Sequence, residues 1–135
     1  MNSLTSTPQL KLVDTPRQPG SEAFQEAALQ GVLKIPHCSH CERAHWYPRP
    51  LCPRCLSDKI EWKTASGLGE VYSFTIMRRA KPPYAIAYVT LDEGPVMMTN
   101  VVNCDLERIQ VGMRVKVVFQ ADGSGSLVPL FEPMG

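Results

Sequence analysis

The chain has almost no net charge and no long apolar run. Its 14 lysines and arginines nearly balance 13 acidic residues, which gives a formal net charge of +1 over 135 residues. Proteins that bind nucleic acid through its phosphates usually carry a marked basic excess, so this balance disfavours that class. No apolar run approaches membrane-spanning length, and residues 1–14 lack a basic region followed by an apolar core. We therefore expect a cytoplasmic protein that makes no contact with a membrane.

The sequence also lacks the residue sets that carry common reactions. It contains no evident Ser/His/Asp set, carboxylate pair or phosphate-cradling glycine loop. All three histidines, His37, His40 and His45, lie in one short stretch, so no histidine in the C-terminal half could activate Cys104 as a nucleophile. Cys104 is interpreted as a half-buried apolar residue, and His45, next to Trp46, as a surface residue. These absences predict a chain with no catalytic residues of its own.

Four cysteines have the spacing of a zinc ribbon. Cys38-x-x-Cys41 is followed after ten residues by Cys52-x-x-Cys55. Each pair can turn two sulfurs toward one point, and four thiolates form a closed tetrahedral site that leaves no position for substrate. The spacing predicts one structural zinc ion, bound by these four side chains, whose binding energy folds the segment around it.

Other chemistry is compatible with four cysteines. Iron also accepts four thiolates in rubredoxin-like sites, so iron remains the alternative metal. Disulfides or a dithiol redox site would need an oxidising compartment or a thioredoxin-like setting, and the sequence indicates neither. His37 and His40 are expected to donate hydrogen bonds near the sulfurs or to face water.

Composition divides the chain into four segments. Residues 1–20 mix Ser, Thr, Pro and Gln and predict a flexible or extended arm. Residues 21–36 predict one amphipathic helix that starts at a serine N-cap. Residues 37–66 form the predicted rubredoxin-like ribbon, with Trp46 in its small apolar sheet. Residues 67–135 form the predicted OB-fold domain.

The OB-fold prediction depends on period-two runs separated by turn signals. The runs and the short helical segment that precedes the fourth run cover residues 71–77, 84–91, 96–102, 105–109, 113–120 and 127–131. Five strands with a helix between the third and the fourth is the order of an OB barrel. The predicted fold is mainly β, with an N-terminal helix and a zinc ribbon followed by a five-stranded OB-fold barrel.

The chain resembles a known family, the small proteins that join a helix and a rubredoxin-like zinc ribbon to an OB-fold domain associated with acyl-CoA enzymes. The resemblance covers nearly everything after the N-terminal arm. The segments that carry it are 47–55 (YPRPLCPRC), 61–62 (EW), 66–73 (SGLGEVYS), 91–95 (LDEGP), 99–100 (TN), 112–115 (GMRV) and 129–131 (PLF).

The resemblance implies a noncatalytic but required subunit. It implies a hetero-oligomer with a thiolase-fold catalytic partner, in an enzyme of the acyl-CoA thiolase or C-acetyltransferase type that transfers acyl groups or forms or cleaves carbon–carbon bonds. Zinc would then be structural, and the interface is where acyl-CoA or an acyl substrate could bind.

A cationic loop, defined by Arg78, Arg79, Lys81 and Tyr84, is a candidate site for a ligand or partner. It joins the first two predicted barrel strands, and in OB folds this connection flanks the binding face. Three cations beside prolines and one aromatic ring suit the phosphates and adenine of CoA, or an acidic partner surface. The alternative is a solvated loop that keeps an edge strand soluble.

A free-standing module for single-stranded nucleic acid is the alternative function. It would use the same loop, with Tyr72, Phe74, Tyr84 and Tyr88 as stacking platforms. Aromatic residues that alternate along strands are more often part of a core, and the balanced net charge also disfavours this function.

Overall fold

The structure is a computed structural model that describes residues 22–134. A short helix leads into a three-stranded sheet and then into a closed five-stranded barrel. The elements are α1 (Glu22–Leu29), β1 (Lys34–Cys38), β2 (Arg43–Ala44), β3 (Ile60–Thr64), β4 (Leu68–Met77), β5 (Tyr84–Leu91), β6 (Val96–Val101), a 3-10 helix (Leu106–Arg108), β7 (Arg114–Ala121) and β8 (Leu127–Pro133). The predicted fold class is confirmed. The predicted arm, 1–20, and the N-cap Ser21 lie outside the described residues.

The helix ends earlier than the predicted segment 21–36. Gly31 has a φ of 74°, and its N–H donates to the carbonyl of Ala28 at 2.9 Å. The N–H of Val32 donates to the carbonyl of Ala27 at 3.0 Å, which completes a Schellman C-cap. The prediction was wrong at this end because the apolar spacing continues to Val32, whereas the left-handed glycine turns the chain into β1.

The ribbon sheet has the order β2-β1-β3, and both strand pairs are antiparallel. β3 was not predicted, and it pairs with all of β1, from Lys34↔Thr64 to Cys38↔Ile60. Trp46 lies after β2 rather than in the sheet, so its predicted place in a strand was wrong. The division between ribbon and barrel after residue 66 stays a prediction.

The barrel has the order β4-β5-β6-β8-β7, and its strands lie within a few residues of the predicted runs. β7 returns to β4 through three antiparallel pairs. β6 and β8 run parallel and share a single register pair, Val101↔Phe131. The barrel is therefore closed, but its β6–β8 seam is open over most of its length.

One core connects the helix, the ribbon and the barrel. Leu33 and Ile35 belong to the same buried cluster as Phe131. The ring of Phe24 lies 5.7 Å from that of Trp46 and 6.3 Å from that of Phe119, measured between centroids. Burial of one such side chain stabilises the fold by about 1.5–3 kcal/mol. The ribbon is therefore held against the barrel by packing as well as by the chain connection.

Candidate functional site

The four predicted cysteines converge on one point. The Sγ atoms of Cys38 and Cys55 are 3.6 Å apart, those of Cys41 and Cys52 are 3.7 Å apart, and all four lie within 4.8 Å of one another. A regular tetrahedron with Zn–S bonds of about 2.3 Å has edges of about 3.8 Å. A disulfide would need sulfurs about 2.05 Å apart. The geometry therefore fits a four-thiolate metal centre.

Tight turns aim backbone N–H groups at the sulfurs. The N–H of Cys41 lies 3.5 Å from Sγ of Cys38, and the N–H of Arg54 lies 3.4 Å from Sγ of Cys52. The residue after each cysteine pair, Glu42 or Leu56, has a left-handed φ of 56° or 63°. The two halves of the site thus repeat one turn geometry, which non-glycine residues rarely adopt.

Two thiols of the site have pKa values shifted in opposite directions. Backbone N–H groups of Cys55 and Arg54 outweigh desolvation and lower the pKa of Cys52 to about 6. The N–H of Ser57 lowers the pKa of Cys55, but desolvation and the neighbouring sulfurs raise it to about 11. Four sulfurs this close repel one another when all are ionised, and a divalent cation removes that repulsion.

His45 is buried, so its predicted place on the surface was wrong. Only 3% of the residue is exposed, and its backbone N–H donates to the carbonyl of Pro36 at 3.0 Å, which fixes it beside β1. Neither ring nitrogen has a hydrogen-bond partner among the described residues. Desolvation, together with the charges of Arg54 and Arg49, lowers the pKa of His45. His40 is exposed, in line with one of its two expected environments.

Two clefts flank the junction of ribbon and barrel, and Trp46 and Val96 line both. The first, of about 800 Å³, is rich in charged side chains from both parts of the chain. The second, of about 580 Å³, is mainly apolar and follows the open β6–β8 seam. Sequence reasoning found neither, because the residues that line them are far apart along the chain.

Side chains bridge part of the seam. The amide of Gln25 accepts from the N–H of Leu127 at 2.9 Å and donates to the carbonyl of the same residue at 3.1 Å. The hydroxyl of Thr99 donates to the carbonyl of Pro129 at 3.1 Å. Gln25 thereby takes the place of a neighbouring strand and ties α1 to β8.

None of the four residues of the cationic loop lines either cleft or belongs to the metal cluster. The guanidinium of Arg78 forms a bidentate ion pair with the carboxylate of Glu107 on the 3-10 helix. Arg79 and Lys81 are exposed and have no ion pair in the part of the chain that is described. Tyr84 begins β5 and is half-buried.

Two aromatic side chains expected in the core lie on the surface instead. Tyr72 is 68% exposed and Tyr88 is 47% exposed. The register of β4 shifts between Val71 and Ser73, and this bulge leaves Tyr72 without a partner on β5. Tyr88 lies in the regular alternation of β5, on the outer face between the buried Ala87 and Val89. Cys104 is half-buried, as predicted, and burial raises the pKa of its thiol, with a further contribution from Asp105.

Family models match both parts of the chain. Residues 25–61 match a model described as ChsH2, rubredoxin-like zinc ribbon domain, and residues 62–120 match one described as ChsH2, C-terminal OB-fold domain. Together with the four clustered cysteines, the first match shows a structural zinc site, so the prediction of zinc is confirmed. No helix among residues 22–134 is both long and apolar enough to cross a membrane.

Curated relatives come from archaea and bacteria. The chain is 40% identical over 86 residues to a DUF35 domain-containing scaffold protein of Pyrococcus furiosus, which covers 58% of this chain and 63% of that protein. A scaffold protein of the same description from Methanothermobacter thermautotrophicus is 30% identical over 90 residues, which is 62% of this chain and 68% of that protein. A probable enoyl-CoA hydratase alpha subunit of Thermomonospora curvata is 34% identical over 115 residues, which is 80% of this chain but only 35% of that protein. The matches thus span from 35% to 68% of the length of these relatives.

A solved structure is similar over most of the chain. It is described as Ltp2-ChsH2(DUF35) aldolase, and its matching chain has a TM-score of 0.77 and 29% sequence identity. The match covers 90% of this chain and 100% of that chain. The order of helix, ribbon and barrel is therefore shared along its whole length.

Proposed function

Because this chain belongs to the DUF35 family, which joins a ChsH2-type rubredoxin-like zinc ribbon to an OB-fold domain, we propose that it is a noncatalytic subunit of an acyl-CoA enzyme. The observation that carries the proposal is the likeness to a chain of the Ltp2-ChsH2(DUF35) aldolase, which covers the whole of that chain. The description of that structure pairs ChsH2 with a second protein. By analogy, a hetero-oligomeric catalytic partner completes the enzyme here.

The chemistry of the described residues supports a noncatalytic role. A zinc ion bound by Cys38, Cys41, Cys52 and Cys55 has no open coordination position, so it would fold the ribbon rather than activate water or substrate. Burial raises the pKa of the Cys104 thiol, which disfavours the thiolate form that a nucleophile requires.

The partner has a thiolase fold and acts on CoA thioesters, by acyl transfer or by forming or cleaving a carbon–carbon bond. The family resemblance and the aldolase and enoyl-CoA hydratase descriptions of related proteins support this part of the proposal. Arg79 and Lys81 would contact an acidic partner surface or the phosphates of acyl-CoA, since both are exposed and without an ion pair in residues 22–134.

Purification of the full chain from its native host under mild conditions, with an affinity tag, tests the proposal. We expect a larger acyl-CoA enzyme subunit in stoichiometric amount, identified by mass spectrometry and absent when an unrelated protein carries the same tag. Nucleic acid that copurifies and is released by salt would instead support the single-stranded nucleic-acid module. Recovery of the chain alone would contradict a hetero-oligomer.

A further inference from the structure

Within residues 22–134, the edge of β6 that faces the β6–β8 seam has no partner strand from Val96 to Thr99, because β6 and β8 pair only at Val101↔Phe131. The N–H of Leu91 donates to the carbonyl of Pro95, so residues 95, 97, 99 and 101 direct their backbone groups toward β5. The N–H of Val102 donates to the carbonyl of Phe131, so the even-numbered residues face β8. The backbone N–H and C=O groups of Val96 and Met98 therefore point into the apolar cleft.

The opposite side of the seam is already satisfied. Leu127 is paired with the side chain of Gln25, Pro129 has no N–H and its carbonyl accepts from Thr99, and Phe131 pairs with the end of β6. Of the two edges of the seam, as residues 22–134 form them, β6 is therefore the one that offers free donors and acceptors to an incoming chain. That arrangement suits the addition of one strand.

The side chains around this edge restrict what can bind. Tyr47, Tyr88 and Met98 are 48%, 47% and 61% exposed, and they stand at the cleft that Trp46 lines from the ribbon side. Arg49 is the one charged side chain lining the cleft, and no acidic residue in the described part of the chain forms an ion pair with it. The occupant must supply backbone hydrogen bonds, apolar side chains and a negative charge.

We propose that the cleft between β6 and β8 docks an extended segment of the catalytic partner subunit, which adds to β6 as a strand. Apolar side chains of the segment enter the cleft, and an acidic residue beside them pairs with Arg49. This inference rests on the proposed function and identifies one surface, separate from the cationic loop, through which the subunits meet.

Photocrosslinking in the purified two-subunit complex tests the docking site directly. A benzoylphenylalanine at position 88 should crosslink to one short segment of the partner that contains apolar and acidic residues, identified by mass spectrometry. The same group in place of Val111, which is 66% exposed and lines neither cleft, should give no such crosslink. Absence of the crosslink at position 88 in an intact complex overturns the inference. Loss of the crosslink when saturating acyl-CoA is added to a complex that stays intact also overturns the inference, because this result would assign the cleft to a small ligand.

Two variants test the two kinds of contact. Met98→Pro removes an N–H that faces the cleft without removing a hydrogen bond to β5, and Arg49→Glu reverses the one charge. Each should raise the Kd of the complex at least tenfold, whereas Lys59→Glu, at an exposed cation of the ribbon that lines neither cleft, should change it less than twofold. Should Met98→Pro fail to fold, Arg49→Glu decides. Parent-like affinity of the variants overturns the docking site but leaves the proposed function standing, whereas a parent chain that binds no acyl-CoA enzyme overturns both.

Discussion

Loss of one cysteine of the metal centre should unfold residues 39–59 and leave the barrel folded. Within this segment only His45 and Cys52 are buried. Ordering about 20 residues costs roughly 20–40 kcal/mol in backbone entropy, which the burial of two side chains does not offset. Binding of structural zinc contributes about 10–16 kcal/mol to the folding of such a segment.

The barrel does not share this dependence on metal. Val71, Val89, Val115 and Phe131 are each fully buried within it, and its strands close on one another without the ribbon. Removal of the metal therefore costs residues 39–59 most of the free energy that zinc binding contributes to their folding. The barrel keeps its own core. Local rather than global unfolding is the expected result.

The assay combines metal content with hydrogen exchange. The zinc content of the Cys52→Ala protein, measured by plasma mass spectrometry, should fall from one ion per chain toward none. Its amides in residues 39–59 should lose protection from hydrogen exchange, whereas those of β5 should keep it. Cys104→Ala is the matched control, because Cys104 lies outside the metal cluster and should retain one zinc. A Cys52→Ala protein that contains no metal and still protects residues 39–59 would refute the reasoning.

Three further predictions concern the core, an ion pair and the cationic loop. Phe24→Ala should lower the free energy of unfolding by about 3–5 kcal/mol in denaturant titrations, because its ring packs on both ribbon and barrel; a loss below about 1 kcal/mol would contradict this packing. Hydrogen bonds from Arg114 hold the pKa of Asp92 below its ordinary value of 3.8, so the pair stabilises the fold above that pH and ceases to do so as the pH falls through the lower, folded-state pKa. Thermal melts of Asp92→Asn and the parent should differ at pH 7 and converge in acid, and a difference that does not change with pH would count against the pair. Replacing Arg79 and Lys81 together by Gln should weaken partner binding at low salt without changing Tm, whereas unchanged binding would identify a solvated loop.

Features set by local spacing could be predicted from the sequence. The cysteine pairs define the metal centre because each pair lies in one turn, and the period-two runs define the barrel strands because alternation reflects one buried face. The same local reasoning placed the end of α1 too late, since it counted the apolar residues up to Val32 and gave too little weight to Gly31.

Features that depend on contacts between distant segments could not be predicted. His45 is buried beside β1, where its N–H donates to the carbonyl of Pro36, and nothing in its own neighbourhood in the sequence signals this burial. The hydrogen bonds of Gln25 to Leu127 span 102 residues, and the apolar cleft beside them exists only once the barrel has closed. Arg49 lies in a motif that carried the family resemblance, but its place in the cleft emerges only from the folded arrangement.

Reconstitution of the enzyme from separately purified subunits tests the central claim most directly. We predict that this chain alone turns over no acyl-CoA substrate, and that turnover appears when the partner is added and reaches its maximum at a fixed subunit ratio. Turnover by the isolated chain that is abolished by Cys104→Ala, or full activity of the partner without this chain, would contradict the account.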